Sequence, residues 1–75
     1  MIIMKKYSYK GQDITLDIIM KIEKVIEMIC GETGKSFEEA LKDFYESKTY
    51  KTLQKTESTL WAESSAFIVD EFFRE

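Results

Sequence analysis

A chain of 75 residues, 44% hydrophobic and with net charge −3, makes one domain with a small core. One cysteine and no histidine exclude an intrachain disulfide, the usual closed zinc site and a histidine-assisted nucleophile. The single arginine, Arg74, lies among Asp70, Glu71 and Glu75, and positive charge concentrates in residues 1–10 (net +3) while residues 11–46 carry −5, a distribution that disfavours nucleic acid.

The start MIIMKKYSYK puts its charge after its apolar residues, the reverse of a secretory signal, and no run of about 20 apolar residues is present to span a bilayer. A cytoplasmic protein is expected. From Tyr7 the chain alternates through Ser8, Tyr9 and Lys10, turns at Gly11-Gln12, and alternates again from Asp13 to Leu16. That period of two predicts a short strand or hairpin over residues 1–14. Such a hairpin is marginal alone, so it should pair with a neighbour or pack on the helices.

The first helix is predicted from a Thr15 N-cap, with Asp17 in the first turn, to about Cys30, where Gly31 would end it as a left-handed cap. Val25, Ile18, Ile29, Ile22, Ile26, Ile19 and Cys30 then fall in one arc of about 140°, opposite Asp17, Lys21 and Lys24. This places Cys30 among packing residues. After Gly34-Lys35, the stretch SFEEALKDFYES opens with Ser36 and Glu39 at capping-box spacing. Phe37, Ala40, Leu41 and Phe44 form its apolar stripe, with Tyr45 at the edge. Lys48 would fall inside that stripe, so the helix should stop near Ser47.

In SKTYKTLQKTESTLWAES, Ser47 and Thr49 suit the cap of a short helical turn that presents Tyr50 and Leu53 inward and Lys48, Lys51 and Lys55 outward. Leu60 and Trp61 should plug the core, the indole N–H seeking an acceptor. Ser64 or Ser65 then caps a last helix with Ala66, Ile68, Val69, Phe72 and Phe73 on one side and Phe67 opposite. The expected architecture is a mainly α, small three- to four-helix bundle over residues 15–75 with a short N-terminal strand or hairpin, all in a single domain.

Adjacent carboxylates such as Glu38/Glu39 and Asp70/Glu71 diverge by about 100° on a helix and fit helix ends or solvated faces. GETGKS lacks the glycine spacing of a P-loop. No nucleophile, base and orienting group can be named together, so an enzyme is not expected, and neither cofactor nor metal is implied. A helix-turn-helix reading survives in one respect, because Lys48, Lys51 and Lys55 at i, i+3 and i+7 share a face; no arginine or asparagine accompanies them to read bases.

Apolar residues off the core faces point instead to a protein partner or a homodimer. Met20, Met28 and Phe67 are the candidates, with Tyr7 and Tyr9 of the edge-prone strand and the MIIM start adding to them. From Ile18 to Phe73 the order of features, "EEAL..FY.SKTY..L", an acidic "E(T/S).LW.ES" connector and a final "S..(Y/F)(I/V)" helix, resembles a family of short uncharacterised bacterial helical proteins. Members of that family are often encoded beside small toxin-like or accessory genes. The resemblance implies an antitoxin-like or regulatory partner role and carries no catalytic residues.

Overall fold

The computed structural model describes residues 6–75; the MIIM start, and with it the expectation that it adds apolar surface, lies outside the described residues. Among the described residues the protein is mainly α, with four helices behind a two-stranded antiparallel hairpin. Strands β1 (Ser8–Tyr9) and β2 (Gln12–Asp13) pair Ser8 with Asp13 and Tyr9 with Gln12. Lys10 (φ 50°) and Gly11 (φ 82°) form the turn, both in the left-handed region that a two-residue type I′ hairpin demands. The ladder is shorter than the alternation in the sequence because the chain turns into a helix at Thr15, one residue beyond Ile14. The Ile14 N–H donates to the Tyr7 carbonyl at 3.0 Å, and both side chains enter the core.

Helix α1 (Thr15–Thr33) buries Ile18, Ile22, Val25, Ile26 and Ile29. Burial of each contributes about 1.5–3 kcal/mol, which outweighs the small helix penalty of β-branched side chains. Ile19 and Cys30, expected on the same arc, lie at its edge and are half-buried. Both predicted ends shift. Thr15 is the first helical residue rather than the cap, because its hydroxyl is engaged elsewhere: it accepts the Tyr7 N–H at 2.7 Å and donates back to the Tyr7 carbonyl at 3.3 Å. The Asp13 carboxylate takes the Thr15 N–H at 2.9 Å instead, and hydrogen bonding from Thr15 holds that carboxyl below its usual range.

At the other end, Gly31 stays helical and Gly34 (φ 75°) is the left-handed cap, its N–H donating to Cys30 O at 2.9 Å. The Thr33 hydroxyl donates to Ile29 O at 2.7 Å and accepts the Lys35 N–H at 3.2 Å, stitching the extra turn to the exit.

The capping box forms as spaced: the Ser36 N–H donates to Glu39 Oε1 at 3.1 Å and the Glu39 N–H to Ser36 Oγ at 3.2 Å. Helix α2 (Phe37–Tyr45) buries Ala40 and Phe44, with Leu41 and Tyr45 half-buried, but Phe37 is 47% exposed. Side chains on a helix lean toward its N-terminus. At the first helical position Phe37 therefore projects past the end of the bundle instead of joining the stripe.

Ser47 stops α2 and starts α3 (Lys48–Gln54). Its buried hydroxyl donates to Phe44 O at 2.6 Å and accepts the Tyr50 N–H at 3.0 Å. Tyr50 and Leu53 face inward as their spacing implies. Two 3₁₀ turns follow, Thr56–Ser58 and Leu60–Ala62, and α4 (Ser65–Arg74) starts from Ser64, whose hydroxyl accepts the Phe67 N–H at 3.1 Å. Ile68 and Val69 are buried and Phe72 half-buried, whereas Ala66 and Phe73, expected beside them, are exposed. Helix α1 packs against both α2 and α4, and α3 closes the core between α2 and α4. No helix among the described residues is long and apolar enough to cross a membrane.

Candidate functional site

The five surface candidates divide. Tyr7 is 3% exposed and belongs to the core: its hydroxyl accepts a hydrogen bond from Gln54 Nε2 at 3.2 Å, while the same amide donates to the Tyr50 hydroxyl at 3.1 Å. It ties the hairpin to α3 rather than facing a partner. Met28 is half-buried against the core, so its place on the polar side of the helical projection does not leave it wet. A long unbranched side chain reaches around the helix to fill an edge gap. Tyr9 is half-buried and meets Trp61 edge-to-face, ring centres 5.4 Å apart. Met20 and Phe67 are 58% and 44% exposed.

Leu16 is the largest omission. At 67% it is the most exposed of the large apolar side chains among the described residues. The alternation Asp13-Ile14-Thr15-Leu16 reads as strand, which conceals that Leu16 lies in the first turn of α1, four residues before Met20 on the same outer face.

Met20 lines an open groove of about 520 Å³ between α1 and the second 3₁₀ turn, with Trp61 and Ala62 on the far wall and Asp17, Lys21 and Lys24 around it. Trp61 is half-buried, held by its indole N–H donating to Thr56 O at 2.9 Å and by Tyr9 behind it. Lys21 Nζ donates to Glu63 O at 2.7 Å, fastening α1 to the segment that enters α4.

The backbone that presents Trp61 is strained. Thr59, the joint between the two 3₁₀ turns, has φ 56°, a left-handed conformation costing a non-glycine residue about 1–2 kcal/mol and disfavoured further by β-branching. Because the Thr59 side chain is exposed and donates only to the neighbouring Ser58 O at 2.6 Å, Thr59→Asn should relieve the strain. A gain of about 1 kcal/mol, seen as a rise of roughly 4–8 °C in the thermal midpoint, is the expected result; no rise would show that the joint is not strained.

A second groove, about 350 Å³, runs between α3 and α4 past Lys48, Thr49, Leu60, Phe67, Arg74 and Glu75. Two of its charged groups, Glu75 and Arg74, have partners within the chain. Glu75 accepts from the Lys48 N–H at 3.0 Å, the Thr49 N–H at 2.8 Å and the Thr49 hydroxyl at 2.5 Å, and Arg74 pairs with Asp70 at 3.0 Å. Partial desolvation raises the Glu75 carboxyl, but the Thr49 and Lys48 hydrogen bonds outweigh it and hold the group below its usual range.

The lysines considered for a duplex do not form one helical face. Lys48 and Lys51 lie in α3, which ends at Gln54; Lys55 follows with extended backbone (φ −86°, ψ 98°). The α3 N-terminus, the end a recognition helix would present to bases, carries the Glu75 carboxylate. Comparison with protein-family models, with curated proteins and with solved structures finds no match to this chain.

Proposed function

We propose that the protein is a non-catalytic interaction module that works by binding another protein, in an antitoxin-like or regulatory role, and that the outer face of α1 is its contact surface. The reading rests chiefly on Leu16 and Met20, two large apolar side chains 67% and 58% exposed and one helical turn apart. Met20 lines the groove that holds Trp61, and Leu16 stands one turn before Met20 on α1. Exposed apolar side chains that adjoin one another mark an interaction surface, and tryptophan is among the residues that dominate interface energetics. The free thiol of Cys30, with no second cysteine in the chain, suits the reducing cytoplasm.

A double variant, Leu16→Ser with Met20→Gln, tests this. Both positions are exposed, so the change in folding stability should stay within about 0.5 kcal/mol. Wild-type protein is expected to sediment above monomer mass, or to retain a stoichiometric partner through purification from its host, and the variant to do neither. A wild type that is monomeric and unaccompanied, or a variant that behaves as wild type does, would refute the proposal.

A further inference from the structure

We propose that the groove between α1 and the second 3₁₀ turn docks an amphipathic helix whose apolar stripe is flanked by aspartate and glutamate, an inference that rests on the interaction-module reading and names its partner class. Leu16, Met20 and Lys24 follow one another at four-residue intervals along α1, a ridge that ends in a cation. The i±4 ridge of a second helix packs alongside such a row, and its apolar side chains at i, i+3, i+4 and i+7 meet Leu16, Met20 and Trp61.

Charge selects the flanks. Lys21 and Lys24 against Asp17 leave the groove at +1 in a chain whose net charge is −3. Lys24 has no ion-pair partner among the described residues, the ion pairs there being Lys35–Asp43 and Arg74–Asp70. Lys21 is held only by a carbonyl oxygen, so its charge is not neutralised. A third cation, Lys10, stands 5.4 Å over the Tyr9 ring that buttresses Trp61. The charges lining the groove between α3 and α4 sum instead to zero, Lys48 and Arg74 against Glu71 and Glu75.

Lysines beside aromatics also suit single-stranded nucleic acid, but this groove is built against it. Asp17 stands on the rim where phosphates would run, no arginine lines the groove, and Trp61 is half-buried against Tyr9 rather than free to stack a base.

Trp61 is the only tryptophan, so its fluorescence, together with the Met20 ε-methyl resonance, reports occupancy. The probes are three model helices with one shared leucine stripe and with glutamate, glutamine or lysine flanks, and an oligothymidylate. The glutamate helix should bind roughly five- to tenfold more tightly than the glutamine helix at low salt, with the difference fading at 1 M salt, where the Debye length is about 3 Å. Lys24→Glu, an exposed change whose fold is checked by circular dichroism, should shift the preference to the lysine helix. Equal binding of glutamate and glutamine helices would overturn the acidic class and leave the apolar docking surface standing. Preference for the lysine helix in the wild type, or a response to oligothymidylate alone, would overturn the proposal outright. No response to any probe would remove the docking surface as well.

Discussion

Phe44→Ala should leave a large fraction of the molecules unfolded under conditions where the wild type is folded. Phe44 has no exposed surface, and its ring meets the edges of Tyr50 at 5.6 Å and Phe72 at 5.8 Å, so one side chain joins α2, α3 and α4. Truncating a buried phenylalanine costs about 3–5 kcal/mol, the lost transfer energy plus the cavity left behind. A domain of this length has a total stability on the order of 4–11 kcal/mol at about 0.05–0.15 kcal/mol per residue. The loss is therefore a large part of the whole. Urea denaturation should show a midpoint displaced by a large part of its wild-type value with the slope unchanged, and Phe44→Leu should recover most of the difference. A loss under 1 kcal/mol would mean that α2, α3 and α4 are joined elsewhere.

That keystone is legible in the sequence because Phe44 lies three and four residues from Leu41 and Ala40, behind a cap whose Ser36 and Glu39 bond reciprocally. Where a local feature satisfies its own backbone groups, spacing suffices. Gly31 and Gly34 show the opposite case. Both are good left-handed caps, and the choice falls to Gly34 because the Thr33 hydroxyl bonds back to Ile29 and carries the helix past Gly31. A threonine hydroxyl has several possible partners, so its allegiance is decided by the fold. Thr15 is the same case at the other end: its hydroxyl serves Tyr7, and the predicted cap moves to Ile14.

The candidate surface was partly legible for related reasons. A helical projection gives the direction of a side chain from its own axis but not what stands beside the helix. It places Met20 and Phe67 outward, where they remain exposed, and places Met28 outward too, although that side chain bends into the core edge. The exposure of Leu16 is concealed in the sequence because a period of two runs into the first helical turn. The burial of Tyr7 is not legible locally, since its hydroxyl meets Gln54, 47 residues away in sequence.

The second large effect is an alkaline loss of stability centred on Tyr50. Its ring stacks on Tyr45 at 4.7 Å and its hydroxyl shares Gln54 with Tyr7, so three phenols lie close together at the seam between hairpin and bundle. Burial, and after it the charge that Tyr7 or Tyr45 would carry, pushes the Tyr50 phenol well above its ordinary value of 10; burial pushes Tyr45 up as well. In the unfolded chain tyrosine loses its proton near pH 10. The folded state thus keeps a proton that the unfolded state has released, and stability present below pH 10 declines as the pH rises through and beyond it. The slope is about 1.4 kcal/mol per pH unit for each such proton.

Tyr50→Phe should lower neutral-pH stability by about 1 kcal/mol through the lost hydrogen bond, yet flatten the decline above pH 10, so that the two curves converge. The hairpin carries Tyr9, which supports Trp61, so a red shift of tryptophan emission should accompany the transition in the wild type and be delayed in the variant. Parallel curves for the two proteins would place the alkaline instability in other groups. Convergence would identify this seam of tyrosines as the part of the fold that fails first at high pH, with the wall of the α1 groove failing alongside it.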